Sequence, residues 1–146
     1  MSRPRAAAPA VLPCACANVR RAARAITQLY DDALREIGLR STQFTLLQAL
    51  SLSGDLTQGQ LGEFLAIDST TLTRTLGALK SRGWITSRPG KDRRERYWAL
   101  SPVGRRQLAK ARPAWEGAQR RMRSGIGPAR LSSLFDDLAQ IVAAAS

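Results

Sequence analysis

The chain contains no histidine among its 146 residues. This removes the usual general base near neutral pH and the commonest metal ligand, and argues against most hydrolytic and zinc chemistry. Cysteine is nearly as scarce: Cys14 and Cys16 stand one residue apart. They make no disulfide framework, and free thiols fit a cytoplasmic protein. No apolar run approaches the length of a membrane span, so no integral membrane protein is expected. There is neither a glycine-rich phosphate loop nor a clustered carboxylate pair, so the chain does not read as an enzyme, and no cofactor is expected. Acidic residues are few as well. Eleven face 23 lysines and arginines, for a net charge of +12 and a pI near 11.4. That excess suggests a polyanionic partner, either nucleic acid or an anionic membrane surface.

What is present has the period of helices. Hydrophobic residues make up 44% of the chain, enough for a core. Residues 1–15, with Arg3 and Arg5 among alanines and prolines, read as a flexible basic arm without the apolar centre of a signal peptide. From about 18 to 37, Val19, Ala22, Ile26, Leu29, Ala33 and Ile37 mark one long apolar helical face, and Gly38 stops it. A second helix, Thr42–Leu52, turns Phe44, Leu47 and Leu50 inward. Thr57 and Gln60 fit a capping box opening a short third helix that carries Leu61, Phe64 and Leu65.

The stretch from Ala66 to Gly83 organises the rest. Leu72, Leu76 and Leu79 form a narrow apolar stripe. Ser69, Thr70, Thr71, Thr73 and Arg74 crowd the first two turns. Asp68 or Ser69 can cap the helix, and Gly83 can end it in the left-handed conformation. A short helix, a tight turn and a helix with a polar N-terminal end make a helix-turn-helix. Hydroxyls and backbone N–H groups suit phosphates, while Arg or Thr can reach base edges. Trp84–Ser87 and Arg96–Leu100 then read as a β-hairpin, with a Pro89–Gly90 turn and five basic residues from Arg88 to Arg96. A hairpin in that position is a wing, and its arginines suit a backbone or a narrow minor groove.

Ser101–Pro102 starts a long helix, with serine as cap and proline in the first turn, and Pro113 is expected to kink it. A last helix from about 128 to 144 carries Leu131, Leu134, Phe135, Leu138, Ile141 and Val142 on one face. The terminal helices hold more apolar surface than a small core covers, so a second copy of the chain is the expected partner. The fold class is therefore mainly α. A winged helix-turn-helix over about 42–100, with a two-stranded wing, sits between N- and C-terminal dimerisation helices over about 18–37 and 101–145. All of these belong to a single domain over 16–146.

In this order and spacing the chain resembles the MarR family of bacterial transcriptional regulators. The resemblance rests on Asp68–Ser69–Thr70–Thr71–Leu72–Thr73–Arg74, on Leu79–Lys80–Ser81–Arg82–Gly83–Trp84–Ile85, on Asp92–Arg93–Arg94 and on Leu100–Ser101–Pro102–Val103–Gly104. It implies a homodimer on double-stranded DNA at a pseudo-palindromic operator, usually as a repressor released by a signal. The reading-helix contacts map onto Ser69, Thr70, Thr71, Thr73 and Arg74, and the wing-tip minor-groove arginine onto Arg94. Arg93 is assigned to phosphate or to bracing the tip. The resemblance makes Asp92 structural, holding the wing through a charge-assisted bond to an arginine.

Three readings of the signal stay open. Cys16, fourteen residues before Tyr30, is similar to the sensing cysteine of the organic-hydroperoxide branch, where tyrosine hydroxyls polarise the thiol. The second tyrosine of that branch is replaced here by Ser41, and Cys14 adds another thiol. Alternatively, both cysteines are inert and a small-molecule pocket takes the effector, an aromatic or phenolic anion in part of the family. In the third reading Cys14 and Cys16 hold a soft metal or arsenite, with ligands from the other subunit or from outside. The rival to a specific regulator is a non-specific nucleoid or RNA-binding protein, which the charge would also suit.

Overall fold

The computed structural model describes residues 11–146. Arg3, Arg5 and the rest of the predicted arm up to residue 10 lie outside the described residues. The first helix, α1 (Ala15–Leu34), starts three residues before its predicted position, so Cys16 lies within it. Asn18 ties the preceding segment down, donating to the carbonyls of Leu12 and Cys14 at 2.6 and 2.9 Å. A short 3₁₀ turn, Arg35–Ile37, follows, and Gly38 takes the left-handed conformation at φ +74°. Next come α2 (Ser41–Ser53), β1 (Leu56–Thr57), α3 (Gln58–Leu65) and α4 (Ser69–Ser81). The wing strands are β2 (Ile85–Pro89) and β3 (Arg96–Leu100), followed by α5 (Pro102–Ile126) and α6 (Pro128–Ala145).

The mainly helical winged-helix architecture agrees with the sequence reading, with one addition. The sheet has three strands in the order β1-β3-β2, all antiparallel. β1 is only two residues long, pairing Leu56 with Trp98 and Thr57 with Tyr97. So short a segment leaves no alternation to detect, and the Thr57 cap signal overlies it. Pro113 lies inside α5, which is continuous from Pro102 to Ile126, and Gly127 separates it from α6.

Leu34, Leu46, Leu47, Leu61, Leu72 and Leu76 are sealed in one core with Leu79 and Ile85. The core thus joins the end of α1 to α2, the helix-turn-helix and the wing base. Trp115 of α5 stacks on Phe44 with ring centroids 5.5 Å apart. Phe64, grouped by the sequence with Leu61 and Leu65, is 63% exposed instead. The buried line of α3 runs through Leu61 and Leu65, one turn apart, and at about 100° per residue Phe64 falls to one side of it.

The end of α4 is a rigid junction. Gly83 and Trp84 donate to the carbonyls of Lys80 and Leu79, the paired bonds of a Schellman cap, with Gly83 at φ +71°. Ser101 closes the other side: its hydroxyl donates to Gly83 O at 2.6 Å and accepts from Gly104 N–H at 2.9 Å. Its own N–H reaches Trp84 O at 3.0 Å. Helix α5 therefore starts directly against the turn between α4 and the wing. A Cβ on Gly104 would fall 1.9 Å from Trp84 O, so only glycine fits this approach. The Arg82 guanidinium donates to Gly38 O at 2.7 Å and stacks 4.7 Å over the Trp84 ring. It links the reading helix to the turn after α1.

Candidate nucleic-acid interface

Asp68, not Ser69, is the cap of α4. Its Oδ1 accepts from Thr71 N–H at 2.8 Å and its Oδ2 from the Thr71 hydroxyl at 2.6 Å. These bonds, led by the one from the Thr71 side chain, hold the Asp68 carboxyl below its ordinary 3.8. The leucine stripe faces the core, and at about 100° per residue Thr70 and Arg74 stand opposite it. Thr71 and Thr73 flank that ridge on either side. The Thr73 hydroxyl accepts from Gln58 Nε2, at the start of α3, at 3.0 Å. Thr75 turns back onto Thr71 O at 2.9 Å and takes no part in the outer face. Ser69, Thr70 and Arg74 are exposed, and among the described residues their side chains have no partner.

The five cations of the wing divide into two groups. Arg88 places Nε and Nη2 on Asp55 Oδ2 at 3.1 and 3.0 Å and stacks 4.5 Å over Tyr97. Arg96 donates to the Ser87 hydroxyl at 2.8 Å, which also accepts from Lys80 at 3.1 Å. Arg88 and Arg96 thus brace the strands. Lys91, Arg93 and Arg94 lie exposed at the tip, with no side-chain partner among the described residues.

Among the described residues Asp92 pairs with no arginine side chain. Its Oδ1 accepts the backbone N–H of Arg94 at 3.1 Å and its carbonyl accepts from Glu95 at 3.0 Å. This is a local Asx turn, which a carboxylate two residues upstream forms without reaching for a guanidinium. Gly90 N–H closes the loop on Glu95 O at 2.8 Å. The arginine–carboxylate clasp expected at Asp92 is made instead by Arg88 and Asp55, at the β1 side of the sheet.

The proposed sensing residues are not gathered in one chain. Cys14 is the N-cap of α1 and Cys16 lies in its first turn, both exposed. Tyr30 lies fourteen residues further along the same helix, about 21 Å away by helical rise. Tyr30 lines a cavity of about 410 Å³ together with Ile26, Thr42, Gln48, Ile67 and Trp115. Burial raises the Tyr30 hydroxyl above its ordinary 10.0. Ser41, where a second tyrosine was sought, lines the same cavity. The cavity lies among α1, α2, α5 and the α3–α4 turn, and among the described residues its lining carries hydroxyls and amides but no charged side chain. Among the described residues no group of three or more metal-ligating side chains exists, so Cys14 and Cys16 find no third ligand there.

The sequence reading missed Gln58 and Arg82. Gln58 was legible only as the residue after a cap, and Arg82 only as one charge near a helix end. Neither position signals a contact across 15 or 44 residues of sequence.

Comparison with known proteins agrees with this geometry. A model of the MarR family matches residues 37–95. The uncharacterized HTH-type transcriptional regulator YwoH of Bacillus subtilis is 32% identical over 84 residues, 58% of this chain and 61% of that protein. The multiple antibiotic resistance protein MarR of Salmonella typhimurium is 32% identical over 78 residues, 53% of this chain and 54% of its own length. The matches thus span between half and two thirds of these curated relatives. The transcriptional regulator MosR of M. tuberculosis, in its crystal structure in complex with DNA, is 38% identical with a TM-score of 0.79. That match covers 90% of this chain and 98% of MosR.

Proposed function

The chain belongs to the MarR family of winged-helix transcriptional regulators, whose members are not enzymes, and from that premise we propose a homodimeric repressor that binds a pseudo-palindromic operator. The observation that carries this reading is the division of polar side chains. On α4 and at the wing tip, Ser69, Thr70, Arg74, Lys91, Arg93 and Arg94 are exposed and uncommitted, while the neighbouring cations Arg82, Arg88 and Arg96 brace the scaffold. Arg74 and Thr70 face base edges, and Arg94 with Arg93 follows the backbone or enters the minor groove. The complex of MosR with DNA supports a duplex as partner.

A second copy of the chain covers the apolar surplus. Phe135, Leu138, Ile141 and Val142 of α6 are exposed, as are Val11 and Leu12 ahead of α1. With the terminal helices over about 18–37 and 101–145 as the dimerisation unit, the two reading heads address half-sites one helical turn or a multiple apart.

Either of two alternative inputs fits these helices. In the first, Cys16 reduces an organic hydroperoxide to the alcohol and becomes a sulfenic acid. The Cys14 thiol then condenses with it, releasing water and leaving a disulfide. Tyr30 polarises the reacting thiol only across the dimer, from the other subunit. In the second, the cavity takes an effector. Its lining has no counter-charge for an anion, so a neutral aromatic ligand fits better than the phenolic anion expected. Such a ligand touches Ile67 in the turn that aims α4.

The test is a titration of a selected duplex and a random duplex at two salt concentrations. A preference for the selected duplex at both salts is expected, and a ratio near unity at both would return the chain to non-specific binding. Adding hydroperoxide, arsenite or neutral aromatics in turn identifies the input. Release by hydroperoxide that persists in Cys16→Ser would remove the thiol route.

A further inference from the structure

The two threonines flanking the outer ridge of α4 look equivalent in sequence, yet their hydroxyls are committed in opposite senses. Thr71 donates its proton to Asp68 Oδ2, leaving only lone pairs to offer. Thr73 accepts from the Gln58 amide, leaving its proton free. A hydroxyl has one proton and two lone pairs, so each bond determines what remains. A helix lying in a major groove turns its outer ridge to base edges and its flanks toward the two phosphate walls. Phosphate oxygens only accept.

We infer that Gln58 is a positioning residue that sets Thr73 as a phosphate donor, and that Asp68 withdraws Thr71 from phosphate contact. The inference rests on the DNA-binding reading above. Thr73 meets one wall of the groove with a proton already directed outward. Thr71 would meet the other with a lone pair beside a carboxylate, which repels phosphate, so its role is to close the α4 cap. The five reading-helix contacts carried over from the family therefore become four, and Gln58 of the preceding helix joins them indirectly. The arrangement depends on the Gln58 amide presenting its nitrogen to Thr73. A glutamate at 58 offers only acceptors, so the Thr73 proton would turn inward and its outward face would lose its donor.

The experiment uses the full chain and the duplex that the wild-type protein selects from a random pool. Thr73→Val weakens binding about ten- to a hundredfold, the value of one hydrogen bond to a charged acceptor, and Thr73→Ser stays near wild type. Gln58→Leu weakens binding less, and costs nothing further in the Thr73→Val background. Gln58→Glu loses at least as much as Thr73→Val. Thr71→Val holds wild-type affinity, with thermal unfolding recorded to register the weakened cap. A scan with single uncharged methylphosphonates finds one position where the wild type loses affinity and Thr73→Val loses none. The inference is overturned if Thr73→Val binds as wild type, if the losses of Gln58→Leu and Thr73→Val multiply, if Gln58→Glu is tolerated, or if Thr71→Val loses as much as Thr73→Val. Failure of the wild type to select any duplex would instead sink the DNA-binding reading beneath it.

Discussion

The winged head and the terminal helices are built on different terms. In the head, Leu72, Leu76, Leu79 and Ile85 are sealed, and the α4–wing turn is bonded on both sides. At the other end only Leu131 of α6 is buried, and Phe135 and Val142 are more than half exposed. The head is a finished unit whose surface polar groups are free to act. In the proposed dimer the terminal end is half of a unit, and its stability is inseparable from the concentration of the second copy. The proposed regulator uses that asymmetry: the part that reads holds its shape while the part that sets the spacing can be shifted.

The hardest test of the finished head is Gly104→Ala. The added methyl meets a backbone carbonyl that cannot rotate away. A loss of about 3 kcal/mol is expected, at the upper end for overpacking, read as a lower urea midpoint with unchanged slope. Near-neutral behaviour would mean that the junction between α5 and the wing is not rigid, and the contrast would weaken. Phe135→Asp combined with Val142→Asp probes the opposite end. Two charges within an apolar interface should shift the sedimenting mass from twice 15.9 kDa to that of one chain. Far-UV circular dichroism of the head should survive. A dimer that persists would show that α6 does not carry the contact.

Much of this division was legible in the residues. Leucines at helical spacing, the Ser101–Pro102 start and the glycine stops each act within a turn of chain, and each appears where its pattern places it. The apolar surplus of α6 was legible for the same reason. What was not legible depends on pairs distant in sequence. Arg88 was one of five cations until Asp55 appeared 33 residues away to hold it. Asp92 carried the family's expectation of an arginine partner, and the tip instead closes on its own backbone. Composition counts charges, but only tertiary contact separates those that brace from those left for a partner.

That separation gives the next test. Arg94→Ala should weaken operator binding by about 1–3 kcal/mol and lower the salt slope by about one. Arg88→Ala should leave the salt slope nearly unchanged and cost folding stability only about 0–1 kcal/mol, as its pair with Asp55 is solvent-exposed. Equal salt-slope losses would mean that both arginines touch the duplex and that the wing base is not purely scaffold. Arg74→Ala belongs with Arg94 in magnitude. It differs in that a base-reading arginine loses preference for the selected duplex, whereas a phosphate contact loses affinity for every duplex alike.

The smallest effect tests the cap that keeps α4 in place. The folded pKa of Asp68 is depressed, so its contribution is present above the unfolded value near 3.8 and disappears as pH falls through the lower folded value. Asp68 is fully exposed, so the change should be a fraying of the first turn of α4 rather than loss of the head. Titration of its carboxyl by NMR should give a midpoint below 3.8, moving upward in Thr71→Val because the largest cause of the shift is removed. Asp68→Asn still caps but cannot ionise, so it should keep the turn and abolish this part of the acid dependence. If the midpoint did not move in Thr71→Val, the carboxylate would not be engaged by that hydroxyl. Thr71 would then be free to face the duplex, and the two flanks of the reading helix would be alike after all.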